Sequence, residues 1–287
     1  MYSTPWMSDI VVGTMRWGFW GAKFSTQQYR QMIEKSLELG MTTFDHADIY
    51  GGHTTEAEFG AVLNDHPHLR DEMELVTKCG ILHRCDNKPH HYTKAYDSSK
   101  SHILQSVEDS LRNLSTDYID VLLLHRPDFL MDPDEVGEAF ELLYRAGKVR
   151  SFGVSNFTTS QLELLSSSVP IGTHQIEISV KAVEAFSNGT LDQCSKEGIV
   201  PMAWSPLGGG ELPKPLLKEL DKWAKEFSTT PHVIALAWLM QHPSGILPVI
   251  GTVNIDRLVT SKEALSIKLD RQQWYSIYQA STGERIP

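Results

Sequence analysis

Two hydrophobic rhythms alternate along this chain. Short, mostly apolar runs are followed by longer stretches whose apolar positions recur at helical spacing. Strand-like runs are predicted at 10–18 (its first part), 41–44, 74–78, 119–124, 151–155, 173–178, 199–204 and 246–250. Helical periodicity is predicted at 27–39, 55–63, 98–114, 159–165, 191–197, 216–227, 231–241, 255–265 and 271–280. One more helix lies between Pro133, near its first turn, and Gly147, which ends it. In the first helix Met32, Ile33, Leu37 and Leu39 carry the apolar pattern, and Gly40 stands where a C′ glycine belongs. Thr55 and Glu58 have the spacing of a capping box. The run 119–124 is almost wholly apolar, as expected of a strand covered on both faces, whereas 79–97 reads as irregular and rich in His, Lys and Tyr.

Roughly eight strand–helix units without a low-complexity linker fit an α/β architecture of one kind best: a single (β/α)8 TIM barrel across residues 1–287, with extra helices near the C-terminus. The rival, a doubly wound sheet, usually carries a G-x-G-x-x-G turn. None occurs here, and Gly208-Gly209-Gly210 lacks that spacing.

Charge narrows the partners. A formal net charge of −10 argues against nucleic acid or an anionic membrane surface, while leaving room for a local basic patch that takes phosphate. Cys79, Cys85 and Cys194 are an odd number without a CxxC, which suits reduced thiols. Residues 1–10 show no leader pattern and no apolar run has membrane-spanning length, so the expected compartment is the cytoplasm.

The candidate chemistry lies where the strand-like runs stop. Asp45, Lys78 and His125 follow three of these runs, and Tyr50 stands five residues beyond Asp45 in a loop ending in glycine. In a barrel, the strand C-termini form the active face. Singly, each of these residues is a common capping, core or surface group. In succession they suggest reduction of a carbonyl, because hydride arriving at carbon leaves an alkoxide that needs a proton. Tyrosine alone is too weak an acid, with a pKa of about 10. The Lys78 ammonium is expected to lower that value, Asp45 to hold Lys78, and His125 to donate to the substrate oxygen.

Seven motifs carry a resemblance across about 11–264. They are Phe-Asp-His-Ala-Asp-Ile-Tyr-Gly (44–51), Thr-Lys-Cys-Gly (77–80), Leu-Leu-Leu-His-Arg-Pro-Asp (122–128), Gly-Val-Ser-Asn-Phe (153–157), His-Gln-Ile-Glu (174–177), Ala-Trp-Ser-Pro-Leu-Gly (203–208) and Pro-Val-Ile-Gly-Thr (248–252). In this order they resemble the aldo-keto reductases, in particular the bacterial-type NADP-dependent oxidoreductases. The resemblance implies a catalytic tetrad of Asp45, Tyr50, Lys78 and His125, with Tyr50 as proton donor. It also implies an NADPH/NADP+ cofactor. Ser155, Asn156 and Gln175 would bind the nicotinamide carboxamide, and Trp204 would lie on the nicotinamide face. Ser205, Leu207 and Gly208 would hold the pyrophosphate, with Thr252, Asn254 and Arg257 at the adenosine 2′-phosphate and adenine. Asn254 reads equally as an N-cap. Gly251, Thr260 and Ser261 replace a frequent Lys and a frequent Glu-Asn pair of that family.

A small-molecule aldehyde or ketone is the expected substrate. Trp17, Trp20 and His46 are the candidate pocket walls, with Arg16 and the loop residues His83, His90, His91, Tyr92 and Tyr96. The short C-terminal segment suggests an open pocket. Two other readings share the fold. Potassium-channel β subunits resemble aldo-keto reductases, keep the tetrad and act as cofactor-bound regulators. A metal-dependent barrel hydrolase would draw on the 12 histidines, but the one H-x-H, His66-Pro-His68, follows a helix instead of a strand, so no metal is expected.

Overall fold

The computed structural model describes residues 6–286, so the first five residues of the stretch examined for a leader lie outside it. Eight parallel strands close into a barrel: β1 (Val11–Gly13), β2 (Thr43–Asp45), β3 (Glu74–Cys79), β6 (Ile119–Leu124), β7 (Val149–Ser155), β8 (Thr173–Glu177), β9 (Val200–Trp204) and β10 (Leu247–Ile250). Each barrel strand pairs with its neighbours in sequence, and β1 pairs with β10 to close the ring. Two short strands, β4 (Ile81–Leu82) and β5 (Ala95–Tyr96), form a separate antiparallel pair within the 79–97 stretch. That stretch is therefore ordered at its base, where the sequence pattern suggests only irregular chain.

The helices are α1 (Thr26–Glu38), α2 (Thr55–Asp65), α3 (Lys100–Asn113), α4 (Pro133–Arg145), α5 (Thr159–Ser166), α6 (Thr190–Glu197), α7 (Lys214–Glu226), α8 (Pro231–Met240), α9 (Ile255–Ser261) and α10 (Arg271–Thr282). α7 and α10 are the extra helices. α10 docks on α8 through stacked Trp238 and Trp274, 4.8 Å apart, whose indole N–H groups each donate to the other's carbonyl.

Alternation along the strands separates two cores. Val11, Val76, Val121, Leu123, Met202 and Val249 fill the barrel interior, while larger apolar clusters lie between the strands and the helices. Fully burying one such side chain contributes about 1.5–3 kcal/mol. Gly153 sits in the barrel wall because a side chain there would meet the Thr173 carbonyl oxygen at 2.4 Å.

The capping-box expectation at α2 is not met. Thr54 is the N-cap and makes no side-chain cap bond, Thr55 is buried, and Glu58 instead accepts from the Tyr29 hydroxyl at 2.7 Å. Packing of α1 against α2 takes the carboxylate that local spacing assigns to the helix end. The N-cap reading of Asn254 holds: its Oδ1 accepts from Arg257 N at 3.1 Å.

Candidate active site

The strand C-termini bring the predicted tetrad together. Asp45 ends β2, Lys78 lies at the end of β3, and His125 follows β6 directly. Backbone bonds extend the barrel past the strands, from His46 N to Val76 O, Asp48 N to Lys78 O and His125 N to Cys79 O. Tyr50 is delivered by a tight loop in which its carbonyl accepts from Thr54 N and Thr55 N. Gly51 makes that loop possible: its φ is +64°, and a Cβ there would meet Thr55 Oγ1 at 2.6 Å. Ala47, Ile49 and Ile81, with Tyr96 against them, pack around the Tyr50 ring.

Lys78 is the hub. Its Nζ lies 2.8 Å from both Asp45 carboxylate oxygens, 2.7 Å from the His46 carbonyl and 3.1 Å from the Tyr50 hydroxyl. Burial alone would discharge this ammonium, but the Asp45 charge, with Tyr50 beside it, outweighs burial and raises the lysine above its ordinary value. For Tyr50 the net direction corrects the sequence-based expectation. Burial raises its hydroxyl above the usual tyrosine value, and Lys78 only moderates that rise. The tyrosine is thus a protonated phenol at neutral pH. His125 lies edge-on to Tyr50, with ring centres 6.1 Å apart. Burial first, then the positive charges of Lys78, Arg126 and Lys94, push it well below the ordinary histidine range, so it is a neutral imidazole. Its Nδ1 is buried and, among the described residues, has no partner, which leaves Nε2 as the nitrogen able to face a ligand.

A second group surrounds this centre. Gln175 donates to Asp45 Oδ1 at 2.8 Å. Trp204 Nε1 donates to Asn156 Oδ1 at 2.9 Å, and Asn156 Nδ2 donates to Ser155 Oγ at 2.7 Å. Asn156 and Ser205, directly after β7 and β9, have φ of +61° and +50°. Left-handed backbone at residues other than glycine is uncommon, and it clusters at functional sites. Leu207 and Gly208 continue the same turn, and Gly208 N donates to Ser205 O. Thr252 Oγ1 accepts from Asn254 N, and Arg257 is exposed and, among the described residues, has no side-chain partner. Thr260 and Ser261 bond back to carbonyls of their own helix.

The pocket-wall expectations divide. Trp20 is partly exposed, 6.2 Å from the Tyr50 ring and 5.8 Å from His83. Trp17 and His46 are not walls, because both have 0% exposure. Trp17 packs among Tyr29, Phe44 and Phe59 and donates to the Thr252 carbonyl at 3.0 Å. His46 lies on Phe59, with its Nδ1 3.0 Å from Thr14 Oγ1. Arg16, His90 and Tyr92 are exposed, while the His91 ring bonds back to the His83 carbonyl. His66 precedes and His68 lies within a 3-10 turn (Pro67–Glu72) after α2, away from the strand C-termini, and among the described residues no group of three or more His, Cys, Asp or Glu could hold a metal. No described helix is long and apolar enough to cross a membrane.

Two features escape the sequence reading. One is the Gln175–Asp45 bond. The other is Arg126, which follows His125 directly and lies 5.9 Å from the Trp204 ring centre. Its place in Leu-Leu-Leu-His-Arg-Pro-Asp was the available signal.

Comparison with known proteins identifies the family. A family model described as the aldo/keto reductase family matches residues 9–282. The Escherichia coli protein named oxidoreductase YdhF is 45% identical, with 99% of this chain and 96% of that protein covered. A protein from Agrobacterium fabrum named 6-dehydroglucose reductase is 42% identical, with 98% and 96% covered. An aldo/keto reductase from Klebsiella pneumoniae, solved with NADP and acetate, superposes with a TM-score of 0.80 at 27% identity, covering 94% of this chain and 89% of that one. With a closed parallel barrel and a family match over nearly its whole length, the chain is an oxidoreductase that belongs to the aldo/keto reductase family.

Proposed function

We propose that the protein reduces an aldehyde or ketone with NADPH, with Tyr50 as proton donor. The observation that carries this reading is Lys78 Nζ, held by both Asp45 oxygens and lying 3.1 Å from the Tyr50 hydroxyl.

The site suits a nicotinamide. With Asn156 occupied by Ser155 and Trp204, the Ser155 hydroxyl can donate to a carboxamide oxygen and Gln175 Oε1 can accept from its amino group. Trp204, fixed by Asn156, offers a flat face beside them. The Ser205–Gly208 turn suits the pyrophosphate. Thr252 and Arg257 suit the 2′-phosphate, which favours NADPH over NADH. A neighbour of this fold solved with NADP supports the same choice.

When bound, the reduced nicotinamide supplies the hydride. The carbonyl oxygen is oriented by His125 Nε2–H and the Tyr50 hydroxyl. As negative charge grows on that oxygen, the Tyr50 proton moves to it, and the tyrosinate left behind is stabilised by the Lys78 ammonium. Asp45 keeps Lys78 charged and aimed. Burial that raises Tyr50 above its ordinary value keeps the proton in place until the substrate oxygen demands it. The Agrobacterium relative's name, 6-dehydroglucose reductase, supports a small carbonyl-bearing substrate.

The test is NADPH absorbance with a panel of aldehydes, dicarbonyls and ketones, with NADH and a chelator in parallel, on wild type and Tyr50→Phe. Wild type is expected to oxidise NADPH whether or not chelator is present. Tyr50→Phe should keep NADPH binding while turnover falls about 10²–10⁴-fold. Unchanged turnover in the variant would remove Tyr50 from the donor role.

A further inference from the structure

Arg126 is unlike the other arginines. Arg30, Arg70, Arg112, Arg145 and Arg150 each pair with a carboxylate. Among the described residues, Arg16, Arg84, Arg257, Arg271 and Arg285 have no such partner, but they are exposed, so water solvates them. Arg126 is half-buried and, among the described residues, has neither a carboxylate nor a hydrogen-bond acceptor. A partly desolvated guanidinium without an acceptor is costly unless a ligand supplies one.

Its surroundings favour an anion. The adjacent acid, Asp128, is already used: its Oδ2 accepts from Ser98 N and Oγ at 2.9 and 3.0 Å, and its Oδ1 from Leu130 N at 2.9 Å. Lys94 adds a second positive charge whose field reaches His125. The Trp204 face, 5.9 Å away, is at the outer limit of cation–π attraction and is itself anchored by Asn156. In a protein of net charge −10, this one side of the catalytic centre is locally basic.

We propose that Arg126 binds an anionic group of the carbonyl substrate, so that the preferred substrates are aldehydes or ketones bearing a carboxylate, phosphate or sulfonate a few bonds from the carbonyl. The proposal deepens the carbonyl-reductase reading and rests on it. A guanidinium can grip such an oxyanion with two parallel N–H donors. Anchored one residue from His125, the anion would fix where the carbonyl lies relative to the Tyr50 hydroxyl.

The experiment compares succinic semialdehyde with butanal, a neutral aldehyde of the same chain length, on the NADPH-loaded protein. Wild type is expected to favour succinic semialdehyde by tenfold or more in kcat/KM. In Arg126→Leu that ratio should fall toward one, mainly through KM for the anionic aldehyde, and Arg126→Lys should recover part of it. The Kd for NADPH is measured in each variant. Titration of succinate into the NADP+-saturated protein gives a second readout that needs no turnover, with binding expected in wild type and lost in Arg126→Leu. No preference in wild type, an equal loss for both aldehydes, or a shift confined to NADPH affinity would each overturn the proposal. If no carbonyl is reduced yet succinate binding depends on Arg126, the reductase reading fails and the anion site stands. If no carbonyl is reduced and succinate does not bind, the anion site falls as well.

Discussion

Gln175 donates its side-chain N–H to Asp45 at 2.8 Å, joining the middle of β8 to the end of β2 across 130 residues of chain. The same amide thus touches the acid that holds Lys78 and, in the proposed function, the nicotinamide carboxamide. In that proposal, cofactor binding and the geometry around Lys78 share one side chain.

Gln175→Leu should therefore raise KM for NADPH by about tenfold, the expected scale for one or two hydrogen bonds left unmade in a buried site. A smaller fall in kcat should accompany it as Asp45 loses one partner. Steady-state kinetics with NADPH varied at saturating carbonyl checks both. A fall in kcat alone, with KM for NADPH unmoved, would leave Gln175 with Asp45 and remove it from the carboxamide.

The Lys78–Asp45 pair is fully buried, with Lys78 at 0% exposure. Lys78→Met would strand the carboxylate without its counter-charge, and breaking such a pair typically costs about 3–5 kcal/mol. The double variant Lys78→Met, Asp45→Asn should regain much of that stability and none of the activity. Urea unfolding of the three proteins beside NADPH oxidation makes the comparison. Equal stability of the single and double variants would show that the pair is not a coupled unit.

Trp17 ties the aromatic core to the adenosine end of the proposed cofactor site through Thr252. Trp17→Phe keeps a ring in the core but loses the indole donor. A stability loss of about 1–3 kcal/mol is expected, from the unmade bond and altered packing. NADPH affinity should weaken by several-fold while KM for the carbonyl stays put. Movement of the carbonyl KM instead would return Trp17 to the pocket wall.

His174 is expected to set part of the acid stability. It is fully buried, among the described residues neither ring nitrogen has a partner, and burial lowers its pKa from 6.5 to about 4. The unfolded chain binds this proton from about pH 6.5 downward and the folded chain does not until about pH 4, so stability is lost as pH falls through that window. The full effect is on the order of 3 kcal/mol. His46, lowered to about 3 by burial and the Lys78 charge, acts in the same direction. His174→Leu should flatten the drop in melting temperature between pH 7 and pH 5. A drop as steep as in wild type would assign the acid sensitivity to other groups.

Local sequence was enough for the order of strands and helices and for placing Asp45, Lys78 and His125 at neighbouring strand ends. Strand and helix periodicities are short-range, and Asp45, Lys78 and His125 stand at run ends wherever those runs are placed in a parallel barrel. The motifs sufficed for the family in the same way, since they are contiguous. What the chain by itself did not decide was which way neighbouring side chains face and what they meet. Trp17 and Trp20 are three residues apart, yet one is sealed in the core and the other stands beside Tyr50. The tight turn in which Gly21 N donates to Gly18 O separates them. Lys78 beside Tyr50 is legible from the motifs, but the direction of the Tyr50 shift is not, because burial is summed over elements distant in sequence. The Gln175–Asp45 bond and Arg126, which has no acceptor among the described residues, belong to the same class. Desolvation and hydrogen-bond pairing are properties of a completed environment, and only the closed barrel supplies it.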